Sequence, residues 1–384
     1  MPSENDLAPP NRPHPSPRLV VLLTLAMSLV VVACGNGALE IDTQDAPVCA
    51  AGSIDIPPEG GELLLFTWPG FIPETTIAGF ERRNGIAVVQ RFYTSNEDML
   101  SQVQARAEAF DLIIPSDYMV DIMRRDGLLL PLDPIALPGT NNLDEIFDDR
   151  PYDPDGEYSV PYVWGTVGLG VNVNVVGTDA DPSWGLIFDP DQLDLVAGRV
   201  SLLDEPRQAM AAALMYLGHS PNTRERAQIR AAGELIAAVR SDLGGFLSSG
   251  YARDLADGAL DVAHGRSDVF FEAFESGADD YEYLIPTEGA LAWVENMAVP
   301  ITARHPCAAH SFIDFVLEED NAADIANFTG FASPNVAARE FIDIELLRNP
   351  AIYPPSEVRE TLQFLVDVGD LELVYIDEFA RARG

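Results

Sequence analysis

Side chains that can bind a small cation recur at three places in the first third of the chain. Trp68 and Phe71 form the first group, residues 93–95 (Tyr-Thr-Ser) the second, and residues 116–118 (Ser-Asp-Tyr) the third. Aromatic faces and carboxylates are the partners that a buried ammonium group requires. These residue types therefore indicate noncovalent binding of a small solute in a cleft.

No pattern in the sequence indicates catalysis or metal binding. The chain has no Gly-x-Ser-x-Gly elbow, no His-Glu-x-x-His, no Gly-Lys-Ser/Thr loop and no Cys-x-x-Cys. Its histidines are scattered. His14 lies in the leader, and we interpret the other four as surface or core residues: His219, His264, His305 and His310. We expect no enzyme activity, no cofactor and no metal.

A regular alternation of strands and helices must position the three groups. Apolar runs predict strands, and capping residues with amphipathic patterns predict helices, with Ser95 and Ser116 as caps. The elements are strands 62–66, 86–93 and 110–115 and helices 73–83, 95–107 and 116–127. This spacing is typical of βαβ crossovers and a parallel sheet, whose ligands lie beyond the carboxyl ends of the strands.

The remainder of the chain continues the α/β pattern. Two apolar segments, 158–172 and 297–301, are predicted to cross between two halves of the molecule. The other predicted elements are a strand at 199–203, helices at 208–217 and 224–240, and helical patterns within 307–318 and 362–381.

The charge of the chain excludes some partners without naming a ligand. Asp and Glu outnumber basic residues by 61 to 23, all of the basic residues being Arg, and the net charge is −38. Nucleic acid is excluded because phosphate binding needs a basic face. The acidity fits attraction of cationic solutes, and it fits equally a surface adapted for solubility or high salt.

The N-terminus has the pattern of a bacterial lipoprotein leader. Basic Arg12 and Arg18 precede an apolar run of about 15 residues, 19–33, which is shorter than the ~20 that span a bilayer. The run ends in small residues before Cys34, a lipobox pattern. We predict a signal peptide at 1–33, cleavage and acylation at Cys34, and a tether at 34–60; an uncleaved signal anchor is the alternative.

Two cysteines remain after Cys34. Outside the cytoplasm, Cys49 and Cys307 either form a disulfide that fixes the tether to the body or stay as free thiols. Their spacing matches no metal motif.

Seven ordered motifs resemble the spermidine/putrescine-binding proteins of bacterial ABC importers, over about residues 62–380. The motifs are 65–68 (LFTW) with 71–73 (FIP), 93–97 (YTSNE), 111–120 (DLIIPSDYMV), 159–165 (SVPYVWG), 203–207 (LDEPR), 286–289 (PTEG) and 333–339 (SPNVAAR). The resemblance implies an α/β, two-lobed periplasmic-binding-protein fold of type II, each lobe a mostly parallel sheet flanked by helices, with a hinge between the lobes. By analogy, lobe one is 60–168 plus 294–341, and lobe two is 169–293 plus 342–384.

The resemblance also implies roles for individual residues. Those at ligand-binding positions are Trp68, Phe71, Ser116, Asp117, Tyr118, Glu205, Gln208, Arg266, Trp293, Glu295 and Phe331. The rings form the walls, Ser116 is a polar contact, and Glu205 and Glu295 match amine-anchoring acids. Asp117 either contacts ligand or serves the helix start.

Several positions depart from the family pattern. Phe71 stands where the spermidine-binding members have Tyr, and Glu295 replaces Asp. Gln208 replaces an anchoring Glu, and Arg266 replaces a ligand-stacking Trp. Arg266 either pairs with an acid such as Glu205 or Asp268, or occupies an amine subsite and shortens the cavity.

The sequence thus predicts a monomeric, lipid-anchored, extracytoplasmic protein that delivers a polyamine to an ABC permease. The first alternative keeps the fold and binds an anionic or zwitterionic solute, an amino-acid derivative or a metal chelate through Arg266. A solute sensor without transport and a surface hydrolase are the others.

Overall fold

The structure is a computed structural model. It describes Cys49, Asp55 and residues 61–105, 109–177, 181–274 and 280–384. The predicted leader, Cys34 and most of the predicted tether lie outside these residues. In the described part, no helix is both long enough and apolar enough to span a membrane.

The described residues form ten strands and fifteen α-helices. The strands are β1 Glu62–Thr67, β2 Ala87–Phe92, β3 Leu112–Ile113, β4 Ser159–Asn172, β5 Val200–Leu203, β6 Gly245–Leu247, β7 Val262–Arg266, β8 Tyr281–Leu284, β9 Ala290–Ala298 and β10 Leu362–Phe364. The helices are α1 Glu74–Asn84, α2 Asn96–Ala105, α3 Asp117–Arg125, α4 Val173–Val176, α5 Gly185–Phe188, α6 Pro190–Leu193, α7 Pro206–Tyr216, α8 Arg226–Val239, α9 Tyr251–Ala256, α10 Ser267–Phe274, α11 Pro306–Val316, α12 Glu319–Thr329, α13 Ile344–Arg348, α14 Ser356–Arg359 and α15 Glu372–Arg383.

The strands join in one mixed sheet of order β2-β1-β3-β9-β4-β7-β5-β6, with β10 paired to β9 and β8 to β4. At each end of the sheet the strands pair in parallel: β1 pairs with β2 and β3, and β5 pairs with β6 and β7. The centre is antiparallel, where β4 pairs with β9 and β7. The predicted α/β class with parallel ends is therefore confirmed, and the lobe boundaries stay a prediction.

The central strands β4 and β9 are buried along almost their whole length because they have sheet neighbours on both sides. Every residue of β4 from Ser159 to Val171 is buried, and so is every residue of β9. The first segment predicted to cross, 158–172, coincides with β4, whereas the second, 297–301, overlaps only the last two residues of β9. The helical pattern predicted within 362–381 is confirmed as α15, Glu372–Arg383. The start of that range, Leu362–Phe364, is instead a strand, because its backbone completes a ladder with Ala290–Ala292 of β9.

The segment before β1 is attached to α11 at two points. Cys49 and Cys307 form a disulfide, which resolves the open question of their pairing. The Asp55 carboxylate accepts hydrogen bonds from the backbone N–H groups of Cys307 and Ala308, both at 3.1 Å. These N–H groups lie in the first turn of α11, where helical partners are missing and a carboxylate is favourable.

Replacement of both Cys49 and Cys307 by Ser should lower the free energy of unfolding by about 2–4 kcal/mol, because the bond closes a long loop and constrains the unfolded chain. Urea denaturation with and without reductant measures this. Reductant should destabilise the wild type and leave the double variant unchanged. A wild-type unfolding transition that is the same with and without reductant would contradict the disulfide.

Candidate functional site

A cavity of about 820 Å³ opens where side chains from both parallel ends of the sheet meet. Among the described residues, it is lined by Trp68, Phe71, Asn96, Glu97, Ser116, Tyr118, Ile122, Glu205, Pro206, Arg207, Gln208, Arg266, Asp268, Glu295, Leu365, Asp367, Glu372 and Ile376. The first seven come from the β1–α3 region. Most of the rest come from α7, the β7–α10 junction and the segment from β10 to α15.

Glu295 is the most buried acid of this cavity, with 2 % of its surface exposed. The Ser116 hydroxyl lies 2.9 Å from each oxygen of the Glu295 carboxylate, and the Trp68 indole N–H donates to Oε2 at 3.1 Å. A backbone bridge between Ser116 and Glu295 holds the two side chains together. Ser116 does occupy the N-cap position of α3, but its hydroxyl makes no capping bond, because it is directed at Glu295.

Opposing effects set the protonation of Glu295. Burial raises the pKa of its carboxyl above the ordinary value, and nearby Asp268 raises it further. The positive charge of Arg266 and the hydrogen bonds from Ser116 and Trp68 lower it. The site thus supplies donors to the charged form of Glu295, as a carboxylate that receives a ligand ammonium requires.

Aromatic rings form the wall beside Glu295. The Trp68 ring packs on Phe71, with centroids 6.2 Å apart, and Phe71 packs on Phe331 at 5.5 Å. Tyr93 supports Trp68 from behind, with its ring centroid 4.5 Å away and its hydroxyl bonded to the Ile114 carbonyl. Of the second group of the sequence, residues 93–95, Tyr93 therefore supports the wall. Asn96 and Glu97, which follow this group, line the cavity.

Two further acids of the cavity lining, Glu97 and Glu205, are exposed to solvent. Glu97 accepts a hydrogen bond from the Tyr118 hydroxyl at 3.0 Å. Glu205 stands at the N-cap of α7, and burial, Asp204 and Glu97 together raise its pKa. Beside them, the Gln208 Oε1 atom is buried and has no hydrogen-bond partner among the described residues. An amine donor from a ligand would satisfy this oxygen.

The two arginines of the described cavity lining are neutralised by acids. Arg266 Nε and Nη2 donate to the Asp268 carboxylate at 3.1 and 3.3 Å. Arg207 bonds Glu372 at 2.6 Å. Arg125 of α3, outside the lining, pairs with the lining residue Asp367 and so links α3 to the segment after β10.

The structure brings eight of the eleven predicted ligand residues to the cavity wall: Trp68, Phe71, Ser116, Tyr118, Glu205, Gln208, Arg266 and Glu295. Trp293 and Phe331 instead line a narrow crevice behind Arg266, and Asp117 is buried beneath the wall. Sequence reasoning missed Glu97, Arg207, Asp367 and Glu372 as lining residues. Glu97 and Arg207 lie within quoted motifs, whereas no motif marked Asp367 or Glu372.

Asp117 faces inward, away from the cavity. Its carboxylate accepts the Tyr118 backbone N–H at 2.7 Å, which fits a role at the start of α3. Burial raises the pKa of Asp117 to about 7; Glu295 also raises it, whereas the Tyr118 and Val294 backbone bonds and Arg266 lower it.

Three of the histidines contribute to the fold. Burial lowers the pKa of His264 to about 3, so its ring is neutral. His310 bonds the backbone of Asp133 and Pro306, and His305 bonds Asp111 at 3.2 Å. No group of three potential metal ligands occurs in the part of the chain that the structure describes.

Comparison with known proteins places this cavity in context. Residues 75–353 match the bacterial extracellular solute-binding proteins. The chain is 34 % identical to the putrescine/cadaverine-binding protein of Pseudomonas aeruginosa, over 80 % of this chain and 89 % of that protein. Among solved structures, the spermidine/putrescine ABC transporter substrate-binding protein PotD from Streptococcus pneumoniae gives a TM-score of 0.78 at 25 % identity, covering 84 % of this chain and 98 % of that one. The TpPotD lipoprotein of Treponema pallidum gives 0.74 at 31 % identity, covering 84 % and 99 %.

Substitution Asp117→Asn should stabilise the protein more at pH 8 than at pH 5. The stability contributed by the protonated, buried carboxyl is fully present only below its ordinary pKa of 3.8. It is lost as the pH rises from there through the folded pKa of about 7, so the wild type is weaker at pH 8 than at pH 5. An amide keeps the acceptor for Tyr118 and never ionises. Thermal unfolding of both proteins at the two pH values tests this, and an equal difference at both would contradict the assignment.

Proposed function

The chain belongs to the bacterial extracellular solute-binding proteins, and we propose that it captures a polyamine of the putrescine/spermidine class in the cavity at Glu295. In this proposal the protein binds without covalent chemistry and passes its solute to the permease of an ABC importer. Its two predicted lobes close over the ligand, a hinge motion of known kind.

The observation that carries this proposal is the position of acids without a cationic partner. Of six acids on the cavity wall, Asp268, Asp367 and Glu372 form ion pairs with arginine. Among the described residues, Glu97, Glu205 and Glu295 form none. Glu295 is buried, whereas Glu97 and Glu205 are exposed. Negative charge on both a buried and an exposed part of the wall fits a ligand with more than one ammonium group.

The wall between these ends fits the rest of a polyamine. Methylene groups favour apolar surfaces, and ammonium groups gain roughly 0.5–2 kcal/mol from an aromatic face. Trp68, Phe71 and Tyr118 offer such faces. Because the Trp68 indole is fixed by its bond to Glu295, the ring and the carboxylate are oriented before a ligand arrives.

The alternative of an anionic solute held by Arg266 is disfavoured by what surrounds Arg266. Its Nε and Nη2 atoms already bond Asp268, and Glu295 adds a second negative charge nearby. A ligand carboxylate would face two carboxylates and one guanidinium. A zwitterion that places its amine at Glu295 remains the rival that direct binding measurements distinguish.

The cellular setting in our proposal follows the family and the leader pattern. The protein is extracytoplasmic, acts as a monomer and is anchored through lipid at Cys34. Similarity to a lipoprotein of Treponema pallidum and to an ABC transporter component supports this setting. Mass spectrometry of the protein from membranes of an expressing bacterium tests the anchor: a diacylglyceryl group on Cys34 is expected.

Putrescine and spermidine should be tested by isothermal titration, and at least one should bind saturably with one site. Glu295→Gln should weaken that binding roughly 10- to 100-fold, because a charged hydrogen bond contributes roughly 1.5–3 kcal/mol. The amide keeps the acceptor for Ser116 and Trp68. If the folded, ligand-free wild type binds neither amine, the polyamine proposal is overturned. Tight binding of an ω-amino acid would favour a zwitterionic ligand instead.

Gln208→Glu should tighten diamine binding, by about tenfold if the new charge contributes ~1.4 kcal/mol, because it adds a third acid beside Glu97 and Glu205. Gln104→Glu is the matched control, since Gln104 is exposed on α2 and outside the cavity lining. It adds the same charge and should leave the affinity unchanged. Equal effects of the two substitutions would mean that overall charge, not the cavity, determines affinity.

A further inference from the structure

We propose that Arg266 is a built-in cation that fills one ammonium subsite of the cavity and so makes the protein select a diamine over a triamine. This inference rests on the proposed polyamine function and deepens it. It concerns the length of the polyamine that binds, which the resemblance to polyamine-binding proteins leaves undecided.

Arg266 covers the ring that would otherwise receive a ligand ammonium. Its guanidinium carbon lies 4.0 Å from the centroid of the Trp293 ring, the geometry of a cation–π contact. Trp293 is only 6 % exposed, and it is missing from the described lining of the cavity, whereas Arg266 belongs to that lining. The face of Trp293 is therefore already occupied by the protein's own cation.

Arg266 also uses the carboxylate next to this ring. Asp268 lines both the main cavity and the crevice at Trp293, and both of its oxygens bond the guanidinium. An ammonium at this place would need the same two partners, a ring face and a carboxylate. Both are satisfied internally, and the subsite carries no net charge.

The sheet fixes this arrangement. Trp293 on β9 pairs with Gly165 of β4, and Arg266 on β7 pairs with Val167 of the same strand. Trp293 and Arg266 thus lie on the two strands that flank β4, beside positions of β4 that are two residues apart. A Cβ atom at Gly165 would approach the Trp293 ring to 2.5 Å, so the glycine allows the indole to lie against the strand.

Removal of the guanidinium should release a third binding position. Asp268 would lose its ion pair, and the Trp293 face would open toward the cavity. Together with Glu295 and the exposed acids Glu97 and Glu205, the variant would offer three places for ammonium groups, whereas the wild type offers two.

The test is isothermal titration of the purified wild-type protein and Arg266→Ala with putrescine and spermidine. The wild type should favour putrescine, and the ratio of the spermidine to the putrescine association constant should rise at least about tenfold in the variant. Arg266→Met keeps the alkyl packing on Trp293 and removes the charge. It carries the same prediction if the alanine variant fails to fold by circular dichroism.

Arg83→Ala is the matched control. Arg83 stacks on the Phe315 ring at 4.6 Å and pairs with Glu318, but it lies outside the cavity lining. Its removal changes the net charge equally and should leave the ratio as in the wild type.

The outcomes separate the two claims. A wild type that binds neither amine refutes the proposed function itself. A wild type that binds polyamine, with a ratio that stays constant in folded Arg266 variants or changes equally in Arg83→Ala, leaves the function standing and overturns the role of Arg266.

Discussion

The cavity depends on a buried carboxylate that has no salt-bridge partner in the part of the chain that the structure describes. Removing an ionised group from water is costly unless hydrogen bonds or an opposite charge compensate. At Glu295, Ser116 and Trp68 provide the hydrogen bonds, and Arg266 provides a positive charge that Asp268 largely cancels. The carboxylate is thereby held in place with its charge incompletely compensated. In our account, the remaining compensation comes from a ligand ammonium.

The sheet topology is what makes this possible. Glu295 lies on β9, a strand that returns from late in the chain to pair between β3 and β4. Ser116 and Trp68 belong to the segments that follow β3 and β1. Only the insertion of β9 beside β3 brings these three residues together, although Trp68 and Glu295 are 227 positions apart in the sequence. Central strands with neighbours on both sides are rigid, so they suit groups whose geometry must be held before a ligand binds.

The early part of this arrangement could be predicted from local patterns. The first βαβαβα segment follows from apolar runs and caps, and its strand ends led to Trp68, Phe71, Ser116 and Tyr118. Ser95 accepts the Asp98 N–H as expected of a cap, whereas Ser116 does not cap because a distant acid competes for its hydroxyl. Asp367 and Glu372 were beyond prediction, because they reach the cavity through the strand β10, which only a partner in β9 stabilises. The pairing of Arg266 with Asp268 was one of two options in the sequence, and only the packing on Trp293 shows why it is preferred.

A crystal structure of the protein grown with putrescine would show directly whether Glu295 binds a ligand ammonium. We expect one ammonium nitrogen within about 2.7–3.2 Å of a Glu295 oxygen, the methylene chain along Trp68 and Tyr118, and the second ammonium near Glu97, Glu205 or Gln208. Arg266 should stay on Trp293 and Asp268. An ammonium bound elsewhere, with Glu295 contacted only by Ser116 and Trp68, would contradict this role of Glu295.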